Sequence, residues 1–231
     1  MAAAGGKTAV MAQLIGHGAD VNASDTSWVG PVINTAILSG NGDAVKLLLE
    51  RGAKLNRPIL PNRLPPLDLA AQYSDITMFE IVLAAGRESL GSDEYGGALV
   101  SACTSGRIEV VTQLIEFQPN RVHFQASLDR AYPEKNWDVV ELLLQNIQGL
   151  DCNNAFFAAA TDVEHRADVL AVMWDYTSGA IDKAILDKCL YKATDSEKET
   201  TVTALLKMGA DPNAQGELYA PPPPYNPSYI N

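Results

Sequence analysis

Two carboxylates are the residues best placed in this sequence to do acid–base chemistry. Asp68 and Asp129 occupy equivalent positions in two short segments with helical patterning. A carboxylate buried on a helix can have a raised pKa and can exchange protons with a substrate. The competing interpretation is structural, with each carboxylate accepting hydrogen bonds from backbone N–H groups of a neighbouring turn. We favour the structural interpretation and keep as the weaker alternative an enzyme or small-molecule site. That site would be a pocket lined by Asp68, Asp129, Tyr73 and Tyr132.

The other reactive residue types are too scattered to predict a site. No histidine lies four residues from another or near a cysteine, so neither a metal site nor a nucleophilic pair is expected. The segment Gly6-Lys7-Thr8 is similar to the end of a phosphate-binding loop, but the required earlier glycine is missing and no strand precedes it. We therefore predict no metal and no cofactor. The residues considered are His17, His123, His165, Cys103, Cys152 and Cys189.

Composition excludes several classes of function. The 231 residues carry a formal net charge of −11, which repels a phosphate backbone, and the 17 lysines and arginines form no basic stripe along the sequence. No apolar run reaches the length of a membrane span, and the first residues lack the apolar core of a signal peptide. Three widely spaced cysteines are typical of buried thiols in a reducing compartment. We expect an intracellular protein of the cytoplasm or nucleus that binds neither nucleic acid nor membrane.

A short block recurs along the chain and predicts the architecture. Gly18-Ala19-Asp20-Val21-Asn22 returns 34 residues later as Gly52-Ala53-Lys54-Leu55-Asn56, and again as Gly209-Ala210-Asp211-Pro212-Asn213. A period of this length indicates stacked supersecondary units, each packed only on its neighbours. Such an array offers one long binding face instead of a single central pocket.

The unit between two blocks has a recognisable order. Leu64 to Ala71, with the letters LPPLDLAA, predicts a turn, a proline at a helix start and a short helix with small residues. A second apolar helix follows and ends near Gly86. The chain resembles the ankyrin-repeat family from its first residue to about residue 216. The resemblance implies an all-α, right-handed solenoid of helix-turn-helix units with short β-turn fingers. We place seven units, the first incomplete, at about 1–25, 26–60, 61–92, 93–121, 122–151, 152–180 and 181–216, followed by a Pro-rich tail at 217–231.

The repeats depart from the family pattern. The histidine that bridges neighbouring loops is absent from every unit, and the spacing of second helices shrinks from 34 to 32 and 29 residues. We expect an irregular, moderately stable stack with distorted turns near Pro133 and in the connection at 161–168. The histidine position holds Asn34, Asp68, Val100, Asp129 and Phe157.

The resemblance implies a non-catalytic module that binds another protein or peptide through its concave face and finger tips. Aromatic and arginine side chains are enriched at such interfaces. We expect Trp28, Tyr95 and Phe124 at or beside the tips and Tyr73 and Tyr132 on the first helices. The alternative for some of these aromatics is that they fill gaps left by degenerate turns, and Trp137 and Trp174 are expected in the core. The predicted partner-binding set is Trp28, Arg63, Tyr73, Tyr95, Arg107, Phe124 and Tyr132.

The tail has a different composition. Four consecutive prolines favour polyproline II, and Pro222, Pro223 and Tyr225 fit the P-P-x-Y pattern that WW domains bind. A tail that only ends the array, or one that lies along the surface of the array, remains an alternative. We also expect that the chain is a piece of a longer array or multidomain protein, with a diverged array that caps itself as the alternative. A regulatory or spacer segment of a larger multidomain protein is the alternative function.

Overall fold

The computed structural model describes residues 2–3, 5, 7–24, 30–56, 64–162 and 167–213. Within these ranges the chain forms thirteen α-helices and one isolated bridge between Ser24 and Pro31. The predicted all-α fold is confirmed. The helices are α1 (Thr8–Gly16), α2 (Val32–Leu38), α3 (Gly42–Glu50), α4 (Pro66–Tyr73), α5 (Ile76–Gly86), α6 (Ser92–Thr104), α7 (Ile108–Ile115), α8 (Arg121–Ala131), α9 (Trp137–Asn146), α10 (Asn153–Thr161), α11 (Ala167–Tyr176), α12 (Lys183–Asp195) and α13 (Glu199–Lys207).

The helices form two compact units, Met1–Leu150 and Asp151–Asn231. In the first unit α2, α4, α6 and α8 pack side by side as one layer, and α1, α3, α5, α7 and α9 form the other. In the second unit α10 packs on α12 and α11 on α13. We call the first helix of each pair, α2, α4, α6, α8, α10 and α12, an inner helix, and the remaining ones outer helices. The apolar core of each unit lies between its two layers.

Local sequence signals set the helix boundaries. The side chains of Asn41, Asp75 and Asp182 accept hydrogen bonds from Ala44 N, Met78 N and Ala184 N, at 2.8–2.9 Å. These bonds satisfy backbone donors that a helix start leaves without partners. Pro66 stands in the first turn of α4, where its missing N–H costs nothing.

The recurring block is a helix end followed by a side-chain turn. Gly18 and Gly209 have φ of +91° and +92°, a left-handed conformation that glycine adopts without strain. Asp20 Oδ1 then accepts from Asn22 N at 2.8 Å. Asn22 continues into the next repeat, where its Nδ2 donates to the Gly52 carbonyl and its Oδ1 accepts from Lys54 N. The block therefore ends one repeat and ties it to the next.

Small residues on the inner helices lie at the contacts between repeats. All are less than 2% exposed. As expected, their small methyl or thiol side chains let the backbones of neighbouring helices approach closely. They are Ala70, Ala71, Ala102, Cys103, Ala159 and Ala160.

Three residues at the N-caps of outer helices supply hydrogen bonds across repeats. The Arg107 guanidinium donates to the carbonyls of Ala70 and Ala71, both at 2.9 Å. Asn136 Nδ2 donates to the carbonyls of Cys103 and Thr104, at 3.0 and 2.9 Å. In the second unit the buried Lys198 donates to the carbonyl of Asp162. We call Arg107, Asn136 and Lys198 the cross-repeat donors, since each reaches the C-terminal end of the inner helix in the repeat before its own.

These bonds change the interpretation of the missing histidine. At the histidine position Asn34 Nδ2 still donates to the Leu64 carbonyl at 3.0 Å, whereas Asp129 is exposed. The cross-repeat donors supply other links between repeats. Near Pro133 the chain turns through residues 132–135, with Lys135 at φ +59°, which places Asn136 against the preceding repeat. The moderate stability of the stack stays a prediction.

Replacing Asn136 tests the cross-repeat donors. Asn136→Ala leaves the Cys103 and Thr104 carbonyls without this donor, and we expect it to lower the free energy of unfolding by about 1–3 kcal/mol. Urea denaturation followed by circular dichroism measures the change. Asn146→Ala is the matched control, because Asn146 Nδ2 donates only to Leu142 within its own exposed helix end. An equal loss in both variants would contradict the role of Asn136.

Candidate interaction surface

Packing leaves a few large side chains of the inner helices open to solvent. Tyr73, the last residue of α4, is 61% exposed. The rest of α4 is buried through Leu67, Leu69 and Ala70, so the phenol is held on a helix that cannot easily move. The expectation that Tyr73 is exposed is confirmed. The other large apolar side chains exposed on inner helices are Leu38, Val122 and Tyr191.

Tyr132 follows α8 and is half-buried. Its backbone lies in the turn that brings Asn136 to the preceding repeat. The ring therefore remains partly accessible, and its place in a partner-binding surface stays a prediction.

The expectation that Tyr95 is exposed at a finger tip is wrong. Tyr95 is 5% exposed, and its ring stacks on Phe117 with centroids 4.3 Å apart. The Arg87 guanidinium lies 5.5 Å from the Phe117 centroid, and the Tyr95 hydroxyl donates to the Gly86 carbonyl at 3.4 Å. Burial raises the pKa of Tyr95. The aromatic is part of the packing between α5, α6 and α7.

The sequence contained a signal that places Tyr95 correctly. Glu94 Oε2 accepts from Gly91 N at 2.9 Å, so α6 begins at Ser92 and Tyr95 lies inside its first turn. An acidic residue three positions after a helix-starting residue is typical of a capping arrangement. Phe124 is buried for the same reason: α8 begins at Arg121, and Phe124 points into the core with 7% exposure. These two rings fill the core, which was the alternative interpretation of the aromatics.

Arg107 is also a packing residue. It is half-buried, and its guanidinium donates to the two carbonyls at the end of α4. Burial lowers the pKa of Arg107, and the carboxylates of Asp75 and Glu109 oppose that change. It is a cross-repeat donor, and its additional role as a partner contact stays a prediction. Trp137 is buried as expected, and Trp174 is half-buried against Gly179.

Some predicted residues cannot be placed. Trp28, Arg63 and the tail residues Pro222, Pro223 and Tyr225 lie outside the described ranges. Their proposed roles, including a WW-domain partner for the tail, stay predictions from sequence.

Asp68 is a buried carboxylate between α4 and α6. It is 7% exposed, and its Oδ1 has no hydrogen-bond partner among the described residues. A Cβ placed on Gly97 would lie 2.8 Å from Asp68 Oδ2, so only a glycine leaves room for the carboxylate there. Burial raises the pKa of Asp68 to about 7; a hydrogen bond from its own backbone N–H opposes the rise, and the charge of Glu94 adds to it. The expected hydrogen bonds from a neighbouring turn are not made to Oδ1.

Asp129 has a different environment. It is exposed on α8 and accepts a hydrogen bond from Gln125 Nε2 at 3.2 Å. His123, on the same helix, packs against Gly96, where any Cβ would overlap the imidazole. Asp68 and Asp129 are therefore not brought together, and the equivalence of their sequence positions does not produce a paired acid–base site.

Two cavities lie among the described residues on α1, α2, α5 and α7 and near them, and the walls of these two include none of Asp68, Asp129, Tyr73 and Tyr132. One, of about 420 Å³, lies among α1, α2 and the recurring block at 18–22 that follows α1. It is mainly apolar, with Met11, Leu14 and Val32 in its wall. The other, of about 380 Å³, lies between α5 and α7 beside Arg87 and Phe117.

Three further properties bear on chemistry. Cys103, Cys152 and Cys189 are buried and form no disulfide, and burial raises the pKa of each thiol to about 12. In the described ranges no three histidine, cysteine, aspartate or glutamate side chains converge as metal ligands. None of the helices described is both long enough and apolar enough to cross a membrane.

Solved structures with a similar fold exist. The ankyrin repeat domain of human ASB11 matches with a TM-score of 0.67 at 24% sequence identity, over 91% of this chain and 97% of that chain. An ankyrin repeat domain from Acinetobacter baumannii AYE matches with a TM-score of 0.52 at 20% identity, over the same shares. No protein-family model and no curated protein matches the sequence. The resemblance to ankyrin repeats is thus confirmed at the level of the fold.

The two tyrosines of adjacent inner helices should respond differently to truncation. Tyr95→Ala removes a buried stacked ring, and we expect it to lower the free energy of unfolding by about 3 kcal/mol or more. Tyr73→Ala removes an exposed ring, and we expect a change within about 0.5 kcal/mol. Urea denaturation of both variants measures the difference. A comparable loss at Tyr73 would contradict its exposed position.

Asp68 should make stability depend on pH. Its pKa rises from 3.8 to about 7 on folding, so the native state holds the proton more tightly than the unfolded chain. This contribution to stability is fully present below about pH 4 and is lost as the pH rises toward about 7. Asp68→Asn removes that loss, so we expect its stability advantage over the wild type to grow by on the order of 2 kcal/mol between about pH 5 and about pH 8. Urea denaturation at several pH values measures it. Asp129→Asn is the control, because Asp129 is exposed. The prediction would be refuted if the free energy of unfolding depended on pH in the same way in Asp68→Asn and in the wild type.

Proposed function

We propose that this chain, with its ankyrin-repeat fold, is a non-catalytic module that binds a protein partner through its inner helices around Tyr73. The single observation that carries the proposal is the 61% exposure of this aromatic ring on a helix whose other face is packed. An amphipathic ring of this kind gives a large contact area while fixing only two side-chain torsions. Aromatic residues are also enriched among the residues that dominate binding energy.

Neighbouring features support the same surface. Leu38 ends α2, which packs directly on α4, and its side chain is also exposed. The layer that carries both residues is stiffened by the cross-repeat donors, so a partner meets a preformed surface and little ordering free energy is lost on binding. Binding by such a surface is shape complementarity around a few anchors, and it requires no proton transfer.

The separation of the carboxylates favours a binding role over a catalytic one. Asp68 is buried against Gly97 and Asp129 is exposed on α8, so the two carboxylates do not form a pair, and neither lines the two cavities described above. We therefore assign the raised pKa of Asp68 to burial within the repeat stack. The proposed partner is a protein or peptide, and we propose no role for a metal, a cofactor, nucleic acid or a membrane.

Affinity capture with matched variants tests the proposal. We expect Tyr73→Ala to reduce the recovery of specific partners by about tenfold or more, because it removes the central aromatic anchor. Ile108→Ala is the control, since Ile108 is an exposed apolar residue on the outer helix α7. Quantitative mass spectrometry of proteins captured on the wild type and both variants gives the comparison. Identical recoveries on all three proteins would refute the proposal.

A further inference from the structure

Two lysines of α12 lie over aromatic rings on the inner helices of the second unit. Lys188 Nζ is 5.0 Å from the centroid of Phe157, and Lys192 Nζ is 6.0 Å from that of Tyr191. Both lysines are exposed, Tyr191 is 45% exposed, and Phe157 is half-buried. We call Phe157, Lys188, Tyr191 and Lys192 the Lys–aromatic face. The lysines looked scattered in the sequence, and the fold brings these two together with the rings.

The face is built on a fixed scaffold. Lys188, Tyr191 and Lys192 fall within one turn of α12, and Phe157 comes from α10, which packs beside it. The opposite side of α12 is buried through Leu186, Cys189, Leu190 and Ala193. The position of the four side chains is therefore set by the packing of two neighbouring inner helices.

The two ammonium groups are not used in the packing of the unit. Among the described residues neither has an ion-pair partner; each lies only over a ring. The other basic residues differ. Lys183 binds Asp187 at 3.0 Å and the Gly209 carbonyl, Lys198 is buried on the Asp162 carbonyl, and Lys207 lies on the outer helix α13.

Three carboxylates of the second unit, Asp182, Asp187 and Asp211, accept hydrogen bonds. Asp187 also accepts from Asp211 N at 2.7 Å, and these two bonds hold the pKa of Asp187 below its usual range. Asp182 and Asp211 cap backbone N–H groups. Asp195, at the end of α12, is exposed three residues after Lys192 and seven after Lys188, so it lies on the same side of the helix and borders the face. Lys188 and Lys192 therefore place two positive groups beside aromatic rings on a chain whose net charge is −11.

We propose that the Lys–aromatic face is a docking surface for an acidic peptide segment of a protein partner. The proposal rests on the proposed function and assigns it a second contact, with defined chemistry, apart from Tyr73. Lys188 and Lys192 are one helical turn apart, with Cβ atoms roughly 6 Å from each other, and this spacing suits carboxylates at alternate positions of an extended segment, which lie about 7 Å apart on one side. The rings hold the lysine side chains by cation–π attraction, so fewer rotamers are lost on binding. An aliphatic residue of the segment covers Tyr191.

Nucleic acid is the competing ligand for two lysines beside aromatic rings. The net charge of the chain disfavours it, because a strand of phosphates is repelled by the acidic remainder of the protein. A short acidic peptide carries fewer negative charges than a nucleic-acid strand, and in this proposal it contacts only the Lys–aromatic face. The experiment therefore includes an oligonucleotide beside the peptides.

Charge reversal at the face, compared with charge reversal elsewhere, tests the proposal. The probe is a fluorescein-labelled peptide of glutamate, glycine and leucine, with a lysine counterpart and oligothymidylate as comparisons, and fluorescence anisotropy at two salt concentrations measures binding to the full chain. We expect the glutamate peptide to bind and the lysine peptide and oligothymidylate to bind at least about tenfold more weakly. The double variant Lys188→Glu, Lys192→Glu should have an affinity for the glutamate peptide that is lower by about tenfold or more. Tyr191→Ala should also lower this affinity, although the charge of the protein is unchanged.

The matched control is Lys46→Glu with Lys207→Glu, two exposed lysines of the outer helices α3 and α13, which changes the net charge equally. We expect it to change peptide binding by less than about threefold, because these exposed lysines belong to outer helices and not to the Lys–aromatic face, and salt weakens interactions between separated surface charges. Circular dichroism verifies that each variant is folded. Equal weakening by both double variants, no binding of the glutamate peptide, or equal or tighter binding of oligothymidylate would overturn the proposal.

The outcome separates this inference from the proposed function. If Tyr73→Ala loses captured partners while the glutamate peptide fails to bind, the inner-helix binding function stands and the Lys–aromatic face is not its second contact. If Tyr73→Ala leaves partner recovery unchanged, the proposed function itself fails, whatever the peptide titration gives.

Discussion

The structure depends most on one recurring type of hydrogen bond, which joins the start of an outer helix to the end of the inner helix in the repeat before it. A helix leaves its last carbonyls without partners within the helix. In the first unit the side chains of Arg107 and Asn136 donate to those carbonyls, and in the second unit Lys198 does the same. At the same three positions the N-cap makes no side-chain bond to its own helix. These side chains connect repeats instead of capping their own helices.

This arrangement decides where binding residues can lie. Inner helices that pack closely through small residues and are fastened at their ends have only a narrow exposed strip. An aromatic ring inside the first turn of a helix, such as Tyr95, becomes part of the core, whereas one at the last position, such as Tyr73, stays outside. Tyr191 of the second unit lies farther inside α12, yet it is exposed, because the buried side of that helix is formed by Leu186, Cys189, Leu190 and Ala193. Position within the helix therefore decides between packing and recognition more than residue type does.

The sequence predicted the fold well because its signals are local. The recurring Gly-Ala-Asp-Val-Asn block, the small residues of the inner helices and the glycine helix ends each act within a few residues of themselves, and the structure uses them as expected. The predictions for Tyr95 and Phe124 failed because they depended on where α6 and α8 begin. Moving a helix start by a few residues turns a finger residue into a core residue. Glu94 carried the information needed for α6.

The roles of Arg107, Lys188 and Asp68 could not be read from sequence spacing, because each depends on another repeat. Arg107 needs the carbonyls of α4, Lys188 needs Phe157 of α10, and Asp68 is buried by α6. No one-dimensional pattern states which side chain of one repeat faces which residue of the next. Contacts of this kind follow from the stacking register, which small changes in repeat length alter.

The two adjacent glycines of α6 have a consequence for how this sequence can vary. Gly97 faces the Asp68 carboxylate, and Gly96 faces the His123 ring, so the missing side chains of one helix are filled by polar groups from its two neighbours. A larger residue at either glycine is compatible with the stack only after the facing polar residue has become smaller. The side chains tolerated at positions 68 and 97, and at positions 96 and 123, are therefore coupled. Three successive repeats are thereby constrained to evolve together, although the fold they share is assembled one repeat at a time.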